Sequence, residues 1–376
     1  MESAKRNDRI IGFDILKTIA VIFVLILHIN SYCMETTGMD NDPVISYVPY
    51  LILEGLAIPA VDIFVLIGSY LMLGKSGVRI SNLLKVYFSA LFVGLIGLAA
   101  AAAVTDIGSV SAVLSCVFPF AFKGFWYVSI YLLLMLLSPF LNMLIEKLDN
   151  RRLIYVTAII LTVVVLLPTF VPKQIFSFAN WGESRLPLFI CLYFIAACIK
   201  RFELHKKSII TGFAIWGSST LILILLSVIW GIAAKKWGGV FVQSFDLLYD
   251  YSSLLVVLEA VGLFLIFCRI KDGSNAVKKI SSKIAGCSLI IYIYHMHPII
   301  KNMYVKWNIF EWVNTDSGII YIFEVFGVAL AVLAAGVIVG IALNKIVSLV
   351  SKAVIKLINK HEKALKFLEK IGLLCN

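Results

Sequence analysis

The chain contains 376 residues, of which 61% are hydrophobic and only 15% are charged. Soluble domains carry charge on roughly a quarter of their residues, and one core of this length cannot hide so much apolar surface from water. The composition therefore excludes an ordinary soluble protein and indicates that lipid is the solvent for much of the chain.

The hydrophobic residues are concentrated in ten runs, and a helix needs about 20 mostly apolar residues to cross a bilayer. The runs occupy residues 11–31, 44–73, 83–104, 125–145, 153–170, 186–200, 209–233, 248–268, 285–303 and 319–343. Pro49 and Pro59 predict a kink or a break in the second run, and the sixth is short enough to be partly re-entrant. We interpret the remaining apolar stretch, residues 107–122, as an outer loop element. The sequence thus predicts an all-α integral membrane protein of about ten transmembrane helices.

Lysine and arginine are distributed unevenly along this arrangement. If both termini and every second loop share one side, that side holds all but seven of the 33 basic residues. The exceptions are Lys123, Lys173, Arg185, Lys235, Lys236, Lys301 and Lys306. Cytoplasmic loops are enriched in basic residues, so we predict that both termini are cytoplasmic. Topology thereby explains the basic excess, and nucleic acid is not expected as a partner.

The chain after the last run has a different pattern, in which lysines are interspersed with apolar residues at helical spacing. We therefore predict that residues 346–376 form a cytoplasmic tail built on a basic amphipathic helix, which lies on the anionic inner leaflet. Residues 1–345 are predicted to form the membrane domain. The seven cysteines include no C-x-x-C pair and most lie in apolar runs, so neither a metal site nor a disulfide framework is expected.

The first run, IIGFDILKTIAVIFVLILHIN, contains ionisable residues where lipid is expected. Lys17 and His28 are eleven residues apart, which puts them within ~20° of each other on one helix face and roughly 16 Å apart along it. Asp14 lies three residues before Lys17 and can pair with it. Lys17 could instead extend to the interface and His28 could merely bridge two helices. The shared face favours a functional site, because ionisable residues are costly in lipid.

The ninth run, which contains SLIIYIYHMHPIIKN, adds Tyr292 and His295 on one helix face, three residues apart. Two histidines in this run and His28 in the first suggest that polar groups converge, although aromatic residues alone would only mark the interface. Asp62 and Glu259 are further acids within apolar runs, and either could line a cavity or neutralise a lysine.

Five segments together form a recognisable series. Asp14, Lys17, ten residues and His28 open it, followed by DIFVLIGSYLMLG with Gly68 and Ser69. The third segment is LLKV, and the fourth is FWYVSIYLLLMLLSPFLN. The last contains Ser288, Tyr292 and His295. In this order, and on these runs, the segments resemble the acyltransferase-3 family of integral membrane acyltransferases over about residues 9–345.

The chain departs from the family pattern at two basic positions. Lys17 and Lys85 stand where the family has arginine, and Gly68 and Ser69 are in reversed order. Arginine grips phosphate with a planar fork, whereas lysine acts as a point charge. The attraction for an anion is therefore retained, but the geometry of the donor pocket is expected to differ.

The resemblance implies transfer of an acyl group, commonly acetyl, from acyl-coenzyme A to a hydroxyl of a cell-surface or lipid-linked carbohydrate, in a bacterial cell membrane. Acyl-coenzyme A is a co-substrate, and no bound cofactor or metal ion is implied. Imidazole has a pKa near 6.5 and suits proton transfer, so His28 is the expected base. The other expected roles are catalysis for His295, donor binding for Lys17, Arg79 and Lys85, support for Asp14, Ser69 and Tyr292, and acceptor binding for Trp126 and Tyr127.

Two other functions remain open at this stage. A transporter or flippase for a polysaccharide or a lipid-linked sugar would also suit ten spans with intramembrane charges, although the sequence lacks the paired broken helices of many transporters. A non-catalytic sensor on the same fold is the other alternative. Trp126 and Tyr127 could equally fill a helix interface. The pattern leaves open the acyl group, the acceptor, the oligomeric state and the choice between direct transfer and an acyl-enzyme.

Overall fold

The computed structural model describes residues 10–37, 43–104, 114, 125–170, 185–206, 208–238, 248–296, 313, 317–370 and 372–374. Its helices are α1 Ile11–Thr37, α2 Val48–Ala57, α3 Ala60–Met72, α4 Ile80–Val104, α5 Trp126–Lys147, α6 Asn150–Leu161, α7 Leu167–Phe170, α8 Leu186–Arg201, α9 Ile209–Trp237, α10 Leu254–Phe267, α11 Asn275–Met296, α12 Gly318–Lys360 and α13 Glu362–Lys370. A π-helical turn, Thr162–Leu166, joins α6 to α7, and two short strands, β1 Val78–Arg79 and β2 Leu373–Leu374, form a parallel pair.

Seven helical segments of the described chain are long and apolar enough to cross a membrane. They are Ile11–Glu35, Val48–Met72, Ile80–Ala99, Trp126–Lys147, Asn150–Phe170, Ile209–Trp237 and Gly318–Lys360. This confirms the predicted all-α membrane architecture, while the count of ten and the cytoplasmic orientation stay predictions. Helices α8 and α10 have 16 and 14 residues, and the end of the ninth predicted run, from residue 297, lies outside the described residues. The outer element predicted at 107–122 does so too, apart from residue 114.

The second predicted span is broken, as its prolines indicate. Helix α2 ends at Ala57, and α3 begins at Ala60, directly after Pro59. Proline has no N–H, and its ring clashes with the carbonyl of the preceding turn, so a helix cannot pass through it undisturbed. The backbone N–H of Ile63 donates to the carbonyl of Pro59 at 2.9 Å, so that Pro59 forms the start of the new helix.

Apolar side chains cover both the interior and the outside of the bundle. Ile210 of α9, Phe323 of α12 and Phe140 of α5 are among many large apolar residues that are exposed on outward surfaces. Such a surface is expected where lipid replaces water. Four cysteines, Cys33, Cys191, Cys268 and Cys287, are buried among these apolar side chains.

Contacts bring the start of α1 and the ends of α3 and α10 together. The backbone N–H of Gly12 donates to the carbonyl of Ile270 at 2.9 Å. The Phe13 ring centroid lies 5.6 Å from that of Tyr70 and 5.3 Å from that of Phe264. The start of α1 and the ends of α3 and α10 therefore lie on the same side of the bundle.

Asn142 adds the end of α5 to the same side. Its side-chain amide donates to the carbonyls of Met72 and Lys75 at 2.9 and 2.8 Å, and its oxygen accepts from the Tyr193 hydroxyl of α8 at 2.7 Å. The last carbonyls of a helix have no partner within it, so Asn142 satisfies those at the end of α3. We call this side the basic face, because its helix ends and loops carry Lys75, Arg79, Lys85, Lys147, Arg151, Arg152, Lys200, Arg201, Lys271 and Lys278.

Arg201 closes the end of α5, and its removal is expected to weaken the fold. The guanidinium donates to the carbonyls of Ile145 and Leu148 at 2.7 and 2.6 Å. Both lie at the negative end of the helix dipole, and hydrogen bonds to a charged group are worth about 1.5–3 kcal/mol each. We expect Arg201→Ala to lower the free energy of unfolding by about 3 kcal/mol, the low end of the sum for two such bonds, measured by thermal unfolding in detergent.

The matched control is Arg152→Ala, because among the residues that the structure describes the Arg152 side chain forms only an exposed pair with Asp149. Exposed ion pairs contribute about 0–1 kcal/mol, so this variant should unfold close to the wild-type temperature. Equal losses in the two variants would show that the carbonyl contacts of Arg201 contribute nothing specific.

Helix α12 is longer than the span predicted for it. Its 43 residues extend over about 65 Å at ~1.5 Å per residue, about twice the hydrocarbon thickness of ~30 Å. The predicted boundary at residue 345 falls inside this continuous helix, and Val347 and Ser351 beyond it are buried. The separate amphipathic helix is the short α13, which begins only at Glu362.

The end of the tail returns to the loop between α3 and α4. Strand β2 pairs with β1, with Val78 opposite Leu373 and Arg79 opposite Leu374. The N–H of Val78 also donates to the carbonyl of Gly372 at 3.0 Å. The C-terminal segment is thereby attached to the basic face beside the start of α4.

Candidate functional site

His28 of α1 and His295 of α11 meet inside the bundle. Nε2 of His295 lies 3.3 Å from Nδ1 of His28, and the two ring centroids are 5.0 Å apart in an edge-to-face arrangement. His295 is buried and His28 is partly buried. The structure therefore brings together the two histidines that the sequence predicts as catalytic, although they are 267 residues apart in the chain.

Backbone carbonyls orient both rings. Nδ1 of His28 lies 2.7 Å from the carbonyl oxygen of Val24, and Nδ1 of His295 lies 2.8 Å from that of Ile291. A carbonyl oxygen only accepts, so each Nδ1 must carry the hydrogen. The single Nδ1–H of His28 is then shared between the Val24 carbonyl, at the shorter distance, and Nε2 of His295, which accepts. This arrangement makes Nε2 of His28 the basic nitrogen, with His295 as the group that orients it.

Tyrosine rings continue from the histidine pair. The Tyr292 ring centroid lies 5.9 Å from that of His295 and 5.5 Å from that of Tyr127. Tyr127 in turn stacks on Tyr131, with centroids 5.8 Å apart. The Tyr292 hydroxyl is buried. The backbone of Tyr127 lies close to it, but the contact does not have the geometry of a full hydrogen bond. A buried donor of this kind is suited to a polar atom of a bound molecule.

A cavity of about 320 Å³ lies beside these rings. Its lining includes Lys17 and Val24 of α1, Val61, Phe64 and Gly68 of α3, Lys75 of the loop after α3, Asn82 at the start of α4, Tyr127 and Tyr131 of α5, and Ser288 and Tyr292 of α11. Val24 lies seven residues after Lys17, and His28 follows one turn later. The cavity thus extends along one face of α1, from the basic face towards the histidine pair. Neither histidine is among its lining residues, but Val24, which contacts His28, and Tyr292 are.

Two lysines lie at the basic end of this cavity. Lys17 is the one that the sequence predicts for donor binding, and Lys75 is an additional one. Lys75 follows a turn at Gly74, whose φ of 79° is accessible mainly to glycine. Partial burial, and then the charge of Arg79, lower the pKa of Lys75 below its ordinary value. Lys75 is nevertheless an exposed residue, and the part of the shift due to Arg79 reflects a second positive charge nearby. Two such charges would attract an anion.

The other two predicted donor residues lie outside this lining. Lys85 and Arg79 are exposed on the basic face, Arg79 in strand β1 and Lys85 in α4. Their contact with a donor remains a prediction. Asp14 is buried, and its carboxylate accepts from the Ser282 hydroxyl of α11 at 3.0 Å. It therefore joins the two helices that carry the histidines.

Ser69 and Trp126 adjoin the cavity through their neighbours. Ser69 is fully buried next to Gly68, and its hydroxyl has no partner within the described part of the chain. Trp126 precedes Tyr127, and its ring makes contact with Tyr251 at 5.7 Å between centroids. Asp62 and Glu259, the two acids that the sequence analysis singles out within apolar runs, are fully buried. Neither is among the lining residues of the cavity.

A buried amide supports the helical turn that carries His28. The Asn30 side chain donates to the Glu54 carboxylate at 2.9 Å and to the carbonyl of Tyr50 at 3.2 Å. It accepts from the Tyr321 hydroxyl of α12 at 2.7 Å. Asn30 thereby attaches α1 to α2 and α12 two residues beyond His28. Asn30 is a polar residue within an apolar run, and this was the signal in the sequence that could have pointed to it. Its hydrogen-bond partners could not be predicted, because they are distant in the sequence.

Comparison of the chain with known protein families gives the class of the protein. The family model of an acyltransferase domain matches residues 10–345, which makes the protein a membrane acyltransferase. The chain belongs to the acyltransferase-3 family, as the five sequence segments indicate. No curated protein and no solved structure matches the chain significantly.

Proposed function

We propose that this acyltransferase moves an acyl group, commonly acetyl, from acyl-coenzyme A to a hydroxyl of a cell-surface or lipid-linked carbohydrate. The proposed place is a bacterial cell membrane, with the basic face and both termini in the cytoplasm. The observation that carries this proposal is the cavity with Lys17 and Lys75 at one end and the His28–His295 pair near the other.

The two ends of the cavity suit the two ends of the donor. Coenzyme A carries phosphates, which lysine attracts as a point charge, and its thioester is at the opposite end of a long chain. Lys17 and Lys75 would hold the phosphates on the basic face, and the mostly apolar lining between Val24 and Phe64 would accommodate the chain. The thioester would then lie close to Tyr292 and the histidines.

The proposed reaction is direct attack of the acceptor hydroxyl on the thioester carbonyl. Nε2 of His28 takes the hydroxyl proton as the oxygen bonds to the carbonyl carbon, and His295 accepts from the Nδ1–H of the resulting imidazolium. The Tyr292 hydroxyl would donate to the oxyanion that forms. Collapse breaks the carbon–sulfur bond, and His28 returns the proton to the sulfur, which leaves as the thiol of coenzyme A.

The test uses the purified full chain in lipid nanodiscs, with radiolabelled acetyl-coenzyme A as donor. The acceptor is the surface glycan of the producing cell, stripped of its esters with mild base. We expect label to enter the glycan and to be released again by base, as an ester would be. Mass spectrometry of surface glycans from cells with and without the protein should show the same ester lost. Unchanged glycans, together with no transfer in nanodiscs, would contradict the proposal.

A further inference from the structure

An aromatic cluster lies at the end of the bundle opposite the basic face. It consists of Trp126, Tyr251, Arg185 and Asp250, which we call the outer cluster. Trp126 begins α5, Arg185 directly precedes α8, and Tyr251 lies just before α10. The other ends of α5, α8 and α10 belong to the basic face. Three helices therefore deliver the cluster to the far side of the membrane domain from Lys17 and Lys75.

The polar members of the cluster hold each other in place. Arg185 Nη1 donates to Asp250 Oδ1 at 2.6 Å, and the same oxygen accepts from the backbone N–H and the hydroxyl of Ser252 at 2.8 and 2.6 Å. The side chain of Asp250 is 7% exposed and that of Arg185 is 32% exposed. Part of a fixed guanidinium is thus presented at the surface, and its charge is balanced by the carboxylate.

The aromatic members form a platform beside this pair. The Tyr251 ring lies 5.6 Å from the guanidinium carbon of Arg185, as in a cation–π contact, and 5.7 Å from the ring of Trp126. Both rings are mostly buried and keep a smaller part of their surface exposed. Large rings with apolar faces and polar tips are typical of surfaces that bind a partly polar molecule.

The platform is connected to the histidine pair by an unbroken series of rings. Trp126 and Tyr127 are 6.2 Å apart between centroids, Tyr127 and Tyr292 are 5.5 Å apart, and Tyr292 and His295 are 5.9 Å apart. Tyr127 and Tyr292 also line the cavity assigned to the donor. A molecule on the outer cluster would therefore approach the reacting centre from the side opposite the donor.

We propose that the outer cluster binds the sugar ring of the acceptor, with the ring face on Trp126 and Tyr251 and neighbouring hydroxyls on the Arg185–Asp250 pair. The Arg185–Asp250 pair offers a hydrogen-bond donor and a hydrogen-bond acceptor side by side and has no net charge. These properties fit the vicinal hydroxyls of a neutral sugar. This inference rests on the proposed function, because it names the acceptor site of that reaction.

The test compares Tyr251→Leu with the wild type in two measurements on the full chain in nanodiscs. The first is the dissociation constant of the ester-stripped glycan without acyl donor, and the second is the KM of that glycan and of acetyl-coenzyme A during transfer. Loss of the stacking ring should raise the dissociation constant and the KM of the glycan by roughly fivefold to tenfold each. The KM of acetyl-coenzyme A should stay at the wild-type value, which also reports that the variant is folded.

Trp237→Leu is the matched control, because Trp237 is an exposed ring at the same end of the bundle with the ammonium of Lys236 5.1 Å from its centroid. It is outside the outer cluster, so its glycan constants should be those of the wild type. Arg185→Lys serves if Tyr251→Leu does not fold, since it retains the charge but loses the planar fork, and it should also weaken glycan binding.

The outcomes separate the two proposals. Wild-type glycan constants in both Tyr251→Leu and Arg185→Lys, or an equal loss in Trp237→Leu, would overturn the acceptor site while transfer by the wild type continues. Absence of transfer by the wild type would instead overturn the proposed function. In that case the binding measurement still decides whether the outer cluster holds a sugar.

Discussion

Replacing His28 by alanine is expected to slow acyl transfer by about 10²- to 10⁴-fold, the range that a positioned general base contributes. Nε2 of His28 is the basic nitrogen that the contacts with Val24 and His295 define, and alanine offers no proton acceptor. The KM of acetyl-coenzyme A should change little, because the phosphates are held at the other end of the cavity. The measurement is the initial rate of labelled ester formation under saturating donor.

His361→Ala is the control for this prediction. His361 is exposed directly after α12, so the same substitution there should leave the rate at the wild-type value. A His28→Ala rate within a few-fold of the wild type would remove His28 from the mechanism. A burst of coenzyme A release by the wild type without glycan would contradict direct attack and assign an acyl-enzyme intermediate.

Replacing Lys17 by glutamine is expected to raise the KM of acetyl-coenzyme A by about tenfold to hundredfold, since a charged hydrogen bond is worth about 1.5–3 kcal/mol. The effect should fall mainly on KM and much less on kcat, because a phosphate contact is made equally in the ground state and the transition state. Lys17→Arg restores the charge with a planar fork and should keep KM near or below the wild-type value.

Lys279→Gln provides the comparison for a simple loss of positive charge. Lys279 is an exposed lysine of α11 and is not part of the cavity lining, so its donor KM should be close to that of the wild type. An equal rise in the two glutamine variants would mean that the general positive potential of the basic face attracts the donor. A rise in neither would place the donor phosphates elsewhere.

The first helix shows how far helical geometry alone can predict the site. The spacing of Lys17 and His28 puts them on one face, and the structure has Lys17 and Val24 along one cavity with His28 one turn further. The motif around Tyr292 and His295 is equally readable, because both residues lie on a regular helix. The spacing of residues along each helix does not predict the contact between His28 and His295, because that contact depends on the packing of α1 against α11.

Lys75 and Tyr251 could not be predicted as site residues. Lys75 lies in the loop between two predicted runs, and Tyr251 lies at the start of the run 248–268, of which the structure makes only Leu254–Phe267 helical. Lys75 is placed by the turn at Gly74 and by the hydrogen bond from Asn142 to its carbonyl. Tyr251 precedes α10 and reaches the site through its contacts with Trp126 and Arg185. A lysine near an interface is commonplace in sequence, and only tertiary contacts distinguish one that lines a cavity.

Arg201 and α12 illustrate two other limits. The positive charge of Arg201 is readable as a sign of topology, but its hydrogen bonds to the end of α5 depend on the approach of two helices. The lysines after residue 345 indicate departure from lipid, yet lysine, leucine and isoleucine allow a helix to continue. Helix α12 therefore passes through the predicted boundary, because leaving the hydrocarbon layer does not end a helix.

The pairing of β1 with β2 determines what can be joined to the protein for laboratory use. Strand β2 ends at Leu374 and is aligned with Val78 and Arg79, between Lys75 and Asn82 of the cavity lining. A purification tag or fluorescent protein inserted directly after Leu374 would adjoin this strand pair, close to the cavity proposed for the donor. A reporter inserted there would sense occupancy of the cavity, whereas a tag meant to be silent belongs on another part of the chain.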